Sequence, residues 1–431
     1  MVYTTIEELY KIYLAHPVLI KDTRLIEDSC IFIAIKGDNF DANEFASEAI
    51  EKGAAYALID NPSKKLDERY LLVENTLVAL QELAKYHRAK LTIPVIGITG
   101  SNGKTTTKEL IYSVLSQKMK AFATRGNYNN HIGVPLSILE INDTHEIAII
   151  EMGASAQGEI DFLCTISDPD CGLITNIGKA HLEGFGGIEG VKSGKSELYR
   201  HLEKKGGLIF LNGDDDTLKQ LINTERFLTY GKLPNLYCSG KLEQTHPTII
   251  GTWKCKGESG KIDSALYGEY NFYNMLAAVC IGNHFELTAT QINHGINTYQ
   301  AKNNRSELIE YKGAKVYLDA YNANPSSMEF SIQNFSKNKN HKKMVILGDM
   351  FEVGETSFEE HKLLMESVIR LGFISCVFVG QNFYKHQVTK KDVYFFKSTE
   401  EAKVWFQNQG LNNFEVLIKG SRGMALEKLL K

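Results

Sequence analysis

The sequence predicts an α/β protein of three domains, built around a central, mostly parallel sheet of the phosphate-loop type. Three observations carry this. Short runs of β-branched and apolar residues recur along the chain, each separated from the next by a segment of helix length. One of these runs opens the stretch VIGITGSNGKTTT (95–107), in which a strand enters a glycine-rich turn and leaves as a helix. The chain has 431 residues, 43% hydrophobic and 23% charged, enough for two to four domains that each bury a core.

The first domain is expected over 1–93, with a strand over 30–35, a helix from about 43 to 52 and a strand ending at Asp60. Pro94 marks the boundary to a second domain, 94–300. Its strands are expected over 95–99, 147–150, 172–175 and 208–211, and a helix over 104–115 carries Leu110, Ile111, Val114 and Leu115. Strands alternating with helices in this way give a mostly parallel sheet covered on both faces. A third α/β domain, 301–431, restarts the rhythm with strands over 315–319, 343–347, 375–379 and 416–419. The polar stretch SKNKNHKK (336–343) reads as a solvated connector, and there is neither an internal repeat nor a low-complexity tract.

Composition narrows the partners. A net charge of -4 gives no global electrostatic case for nucleic acid or membrane, so small-molecule partners are expected. The start, MVYTTIEELYKIYLAHPVLI, lacks the basic and long apolar regions of a secretory signal, and no apolar run reaches the length of a membrane span; a cytoplasmic protein is expected. The seven cysteines are scattered without a Cys-x-x-Cys pair, which argues against a disulfide framework or a zinc site and for buried apolar roles.

The chemistry concentrates in a few places. The turn with Gly97, Gly100 and Gly103 is a variant of the phosphate loop, whose strict spacing would put a glycine at Ile98. Such a turn aims backbone N–H groups and a helix N-terminus at an anion, with Lys104 as a charge for phosphates and Thr105 as a hydroxyl for a metal ion. Glu151 ends the strand of IAIIEMGAS, where an α/β nucleotide site places its metal carboxylate; a helix cap is the other reading. In TNIGKAHLEGFGGIEGVKSGKSELYR, His181 follows a turn and Lys195 opens an amphipathic helix, where by itself it reads as a surface cation. Two polar loops, TRGNYNNHIGVP (124–135) and DAYNANPSSM (319–328), follow strands and supply amide donors and acceptors, as turns or as walls of a polar substrate cleft.

Together these stretches resemble the Mur ligase family, the ATP-dependent enzymes that add amino acids to the peptidoglycan precursor. GITGSNGKTTTKEL, RGNYNNHIGVPLSIL, IIEMGAS, TNIGKAHLEGFG, GEYNFYNMLAA, DAYNANPSSM, LGDMFEVGE and VLIKGSRGMALE occur in the family's order. The resemblance implies a UDP-sugar-binding first domain, an ATP-binding second domain and a Rossmann-like third domain that brings the incoming amine. It implies ATP and magnesium as cofactors. It also implies UDP-N-acetylmuramoyl-tripeptide and D-alanyl-D-alanine as substrates, joined through an acyl phosphate by a monomeric enzyme.

Residue by residue, it assigns Gly100, Ser101, Asn102, Gly103, Lys104, Thr105 and Thr106 to the nucleotide phosphates. Thr105, Glu151, His181 and a carbamylated Lys195 are assigned to magnesium. Asn271 and Asn274 fall near the adenine, and Arg305 and Asp319 are ATP contacts from the last domain. Substrate contacts fall to Thr23, Arg24 and Asn43 at the uridine, and to Asn127, Asn129, Asn130, Ser155, Asn322 and Asn324. The chain departs from the family pattern at Asp22-Thr23-Arg24, where many relatives have Asp-Ser-Arg, and at Asp41-Ala42-Asn43, where many have Asp-Gly-His. A third-residue ligase, a folylpolyglutamate synthase and a nucleotide-driven switch are the alternatives; the Asp-Asn-Pro-Arg motif usual in the third-residue ligase is missing.

Overall fold

The computed structural model describes residues 2–37, 39–301 and 304–431. They form two compact units. The first contains the described residues up to 98 together with 119–154 and 158–172; the second contains 99–118, 155–157 and those of 173–431.

In the first unit a four-stranded parallel sheet has the order Leu19–Ile20, Ile31–Ile33, Tyr56–Ile59, Tyr70–Leu72. Cys30, Phe32, Ala46, Ala49, Ala57, Ile59 and Leu72 pack its core. The helix expected over 43–52 is divided into a tight turn, Ala42–Phe45, and a helix, Ala46–Glu51, because the Asp41 carboxylate accepts from the Asn43 N–H and winds the entry more tightly. The same unit holds Ala121–Ala123 and Ile147–Glu151 as parallel neighbours, and residues 95–98 pair with Ile147–Glu151 on its other side. Ile147–Glu151 is buried throughout, as expected of a strand covered on both faces.

In the second unit Leu208–Asn212, Phe227–Gly231 and Cys238–Gln244 run parallel. Ile249–Cys255 and Glu258–Ser264 then add antiparallel strands, an extension that the strand-helix rhythm did not anticipate. Lys256 and Gly257, both at positive φ, make the tight turn between those two strands, and Ile249–Cys255 alternates buried residues with half-buried or exposed ones.

A six-stranded sheet follows, in the order Glu307–Tyr311, Ala314–Asp319, Glu415–Lys419, Lys343–Gly348, Ser375–Val379, Val393–Phe396. All its pairs are parallel except the first. Each face carries its own core, one around Met328, Phe335, Val345 and Phe378 and the other around Val316, Ile346, Val377 and Phe406. The stretch 336–343 is only partly a solvated connector, since Asn338 is buried and donates to the Glu415 carboxylate at 2.7 Å. All seven cysteines are buried and none is in a disulfide. Among the described residues no helix is long and apolar enough to cross a membrane.

Candidate functional site

The strand Val95–Thr99 gives way to the helix Lys104–Leu115 through a turn whose shape is held by two glycines. Gly100 has φ 141° and Gly103 φ 78°. A Cβ on Gly100 would collide with the Thr175 hydroxyl and lie 2.9 Å from its nitrogen; one on Gly103 would lie 3.1 Å from Asn274 Oδ1. Both positions therefore need glycine. Gly97 belongs to the strand, where its carbonyl is so close to Gly172 that a Cβ there would not fit.

Gly103 stands at the N-cap of this helix and makes no side-chain cap hydrogen bond. A helix N-terminus favours an anion through its dipole. The Lys104 ammonium curls over the turn and donates to the carbonyls of Gly100 at 2.7 Å and Ser101 at 3.3 Å. Thr105 and Thr106 follow in the first helical turn, half-buried and buried respectively.

A segment whose role the sequence did not reveal supports this turn. The N–H groups of Ser101 and Asn102 donate to the Asn176 carbonyl and side-chain oxygen at 3.0 and 3.1 Å. Thr175 Oγ1 and Asn176 Nδ2 donate back to the Asn102 carbonyl at 2.6 and 2.9 Å. The signal was present in TNIGKAH, but there His181 drew the attention.

Lys195 is neither at the start of its helix nor on the surface. The helix is Ile188–Lys205, and Lys195 is only 1% exposed, its ammonium 4.9 Å from the centre of the Phe185 ring. Gly190 and Gly194 lie in the same helix, ahead of Lys195. A Cβ on either would collide with Phe185, so they serve close packing inside the helix.

His181 adopts a left-handed conformation at φ 51° ahead of the short helix Leu182–Phe185. Its Nδ1 is 2.9 Å from Glu352 Oε2, and this hydrogen bond holds the Glu352 carboxyl below its ordinary value. Beside it, the Lys179 N–H donates to Ser326 Oγ at 2.9 Å and its ammonium pairs with Glu360 at 2.6 Å.

The asparagine-rich segment of the third expected domain reaches the phosphate turn directly. Asn324 caps the helix Pro325–Ser336 by accepting from the Ser327 N–H, and its Nδ2 donates to Asn102 Oδ1 at 2.8 Å. Asn322 accepts from the Ala323 N–H. Asp319 pairs with the buried Lys419 at 2.6 Å, which the register Asp319↔Lys419 places side by side. Lys419 was not singled out, although it stands in VLIKGSRGMALE. The Arg305 guanidinium lies 3.4 Å over the centre of the Tyr321 ring.

On the helix Glu269–His284, the buried Asn271 donates to the Tyr267 carbonyl at 2.8 Å, and Asn274 donates to Asn271 Oδ1 at 2.9 Å. Ser155 is exposed, and its carbonyl lies where a Cβ on Gly184 would intrude.

In the first unit Glu151 is buried and accepts from Asn129 Nδ2 at 2.8 Å, while its N–H donates to Thr124 Oγ1 at 3.0 Å. Asn130 accepts from the Ile132 and Gly133 N–H groups and so organises the entry to Gly133–Leu139; Asn127 is exposed. Thr23 opens the turn Thr23–Leu25, capped by Asp22. Hydrogen bonds from Arg24 bring the Asp22 carboxyl down to about 2. Asn43 is buried and committed: it donates to Asp41 and Asp60 and accepts from the N–H groups of Asp60 and Asn61. Its amide stitches that core together.

No cluster of three or more His, Cys, Asp or Glu suited to a metal ion occurs among the described residues. The Glu151 carboxylate in the first unit and the Thr105 hydroxyl in the second are each oxygen donors of the kind magnesium takes.

A glycine-dependent phosphate turn with a lysine folded over it, tied to a second α/β sheet by Asn324, defines a nucleotide-dependent enzyme. The chain belongs to the Mur ligase family: residues 98–282 match the Mur ligase middle domain and residues 304–422 the Mur ligase, glutamate ligase domain. It is 35% identical over 427 residues to the UDP-N-acetylmuramoyl-tripeptide--D-alanyl-D-alanine ligase of Bacillus subtilis (strain 168), covering 95% of this chain and 91% of that one. Among solved structures it is similar to MurF from Acinetobacter baumannii, with TM-score 0.86, 31% identity and coverage of 95% and 92% of the two chains. It is also similar to MurF ligase from Thermotoga maritima in complex with ADP, with TM-score 0.83, 27% identity and 96% of each chain covered.

Proposed function

We infer that this chain is an ATP-dependent amide ligase that joins D-alanyl-D-alanine to UDP-N-acetylmuramoyl-tripeptide in peptidoglycan precursor synthesis. The observation that carries the chemistry is the phosphate turn, with Gly100 and Gly103 at positive φ and Lys104 over it. The acceptor and donor come from the likeness to the Bacillus subtilis ligase over 95% of the chain.

The tripeptide's terminal carboxylate attacks the γ-phosphorus of ATP, giving an acyl phosphate and ADP. The dipeptide amine then attacks the acyl carbon, an amide bond forms, inorganic phosphate leaves with the C–O bond electrons, and the amine loses its proton. Because phosphoryl transfer asks little covalent work of side chains, the protein's part is position and charge. Lys104 and the N-terminus of Lys104–Leu115 receive the phosphates, while Gly100, Ser101, Asn102, Thr105 and Thr106 shape the loop around them. Thr105, Glu151 and His181 would hold magnesium, which supplies positive charge to the transferring group. Lys195, buried against Phe185, would serve there as a carbamate, an anion in place of a buried ammonium.

The remaining assignments follow the same reading. Asn271 and Asn274 adjoin the adenine, and Arg305 and Asp319 complete the nucleotide site. Thr23, Arg24 and Asn43 serve the uridine, with Asn43 acting through the loop it stitches. Asn127, Asn129, Asn130, Ser155, Asn322 and Asn324 serve the peptide substrates. The chain divides into domains at 1–93, 94–300 and 301–431 and works as a monomer in the cytoplasm, where ATP is at hand.

The test is phosphate release with ATP, magnesium and the UDP-tripeptide, comparing D-alanyl-D-alanine, single amino acids and no amine. Release that requires the dipeptide and matches one amide product is expected; amine-independent hydrolysis would favour the switch reading. In the same assay Lys195→Ala should lose activity that added short carboxylic acids partly restore, and an unimpaired variant would remove Lys195 from the mechanism.

A further inference from the structure

The loop after the strand Lys343–Gly348 is fastened at nearly every position but one. Asp349 accepts from the N–H groups of Asn382 and Phe383 at 2.8 and 2.9 Å. The Met350 N–H donates to His361 Nε2 and the Phe351 N–H to Ser421 Oγ, each at 2.9 Å. Gly354, at φ 69°, comes so close to Glu183 that an added Cβ would lie 2.9 Å from the Glu183 Cβ. Between these ties Glu352 is held at φ 63°, a conformation that costs energy in a residue with a side chain. Its side chain nevertheless remains 56% exposed, with one oxygen on His181. An over-determined loop that spends strain on a half-exposed carboxylate does so for what the carboxylate meets.

Chemistry narrows what that is. The loop lies at the C-terminal end of a central strand, where α/β sheets take their ligands. At the ends of this sheet's strands, Asp319 is fastened to Lys419 and Asp349 to backbone N–H groups, whereas Glu352 keeps a half-exposed carboxylate with one oxygen on His181. The charges assigned above to the nucleotide phosphates and the rest of its site include the cations Lys104 and Arg305. An incoming amine arrives as an ammonium, which such cations repel unless an anion receives it.

We propose that Glu352 is the acceptor-binding residue, its carboxylate taking the ammonium of the incoming dipeptide in a charge-assisted hydrogen bond while His181 orients it. The inference rests on the ligase reading above. The runner-up role, a latch that merely holds this loop against the 178–183 turn, predicts different kinetics.

The experiment uses the full chain and compares the wild type with Glu352→Gln and Glu352→Asp. The KM for D-alanyl-D-alanine, for ATP and for the UDP-tripeptide is measured for each, with melting temperature as a control of folding. Glu352→Gln keeps shape and removes charge. It is expected to raise the KM for the dipeptide about 10- to 100-fold, with little change in the other two constants, and Glu352→Asp is expected to recover part of the loss. Equal rises in all three constants with a lower melting temperature would overturn the assignment in favour of a latch, and an unchanged dipeptide KM would overturn it outright. Should the wild type show no dipeptide-dependent turnover, the ligase reading itself falls and this inference with it; failure in the variants alone leaves the ligase reading standing.

Discussion

The turn that follows Val95–Thr99 and the turn that follows Ala314–Asp319 both leave a largely buried strand and both enter a helix, yet they keep their shapes by opposite means. The first relies on the φ angles of Gly100 and Gly103 and caps its helix with no side chain. The second relies on side chains: Asn324 caps the helix, Pro325 fixes its first residue, and Lys419 anchors Asp319. A turn shaped by glycine φ angles lets its backbone come close to an anionic ligand. A turn that satisfies itself can offer a spare amide elsewhere, as Asn324 Nδ2 does to Asn102.

Four substitutions or conditions probe that contrast. Lys104→Ala removes the one charged side chain of the first turn and should lower turnover by roughly a hundredfold or more, the loss of about 3 kcal/mol of transition-state stabilisation. Phosphate release by a variant with wild-type melting behaviour checks this, and near-normal turnover would remove the turn from the chemistry. Gly100→Ala attacks the turn's conformation. With φ at 141° and Thr175 in the way, it should cost at least about 1–3 kcal/mol in denaturant unfolding and lose nucleotide binding.

Asn324→Ala attacks the second turn. Loss of a helix cap should cost about 1 kcal/mol and raise the KM for ATP only severalfold, because the phosphate turn keeps its own shape. An effect on turnover as large as that of Lys104→Ala would erase the proposed distinction between the turns.

The smallest effect is one of pH. His361 is buried, and burial holds its pKa below the ordinary 6.5; Nδ1 donates to the Ser357 carbonyl while Nε2 accepts from the Met350 N–H, so the neutral ring is the one that fits. A lowered folded pKa means that the unfolded chain takes up the proton first. This contribution to stability is complete above about pH 6.5 and shrinks as pH falls towards the folded value, by at most about 1.4 kcal/mol per pH unit. Melting temperature against pH should therefore fall less steeply below 6.5 in His361→Gln than in the wild type.

Much of this was legible in the sequence because it lies in short-range patterns. Val95–Thr99, Lys104–Leu115 and Ser375–Val379 occur where apolar runs and the glycine turn put them. What escaped reading depends on partners far along the chain. Lys195 read as a surface cation at a helix start, whereas it lies inside Ile188–Lys205 and is buried beside Phe185, a partner ten residues earlier. Lys419 has no distinguishing neighbour in sequence; only the pairing of its strand with Ala314–Asp319 brings it to Asp319. Thr175 and Asn176 gain meaning only when their strand end lies beside the phosphate turn. The side-chain hydrogen bonds that join Asn43 to Asp41, Asp60 and Asn61 likewise depend on a partner segment that its motif position does not reveal.

The central claim, that the phosphate turn holds ATP to activate a carboxylate for amide formation, is tested most directly with oxygen isotopes. The UDP-tripeptide is prepared with 18O in its terminal carboxylate, turned over with ATP and D-alanyl-D-alanine, and the released phosphate is weighed by mass spectrometry. Passage through an acyl phosphate predicts one 18O in each phosphate released, with the other retained in the amide carbonyl. Phosphate free of label, formed while the amide accumulates, would contradict the account.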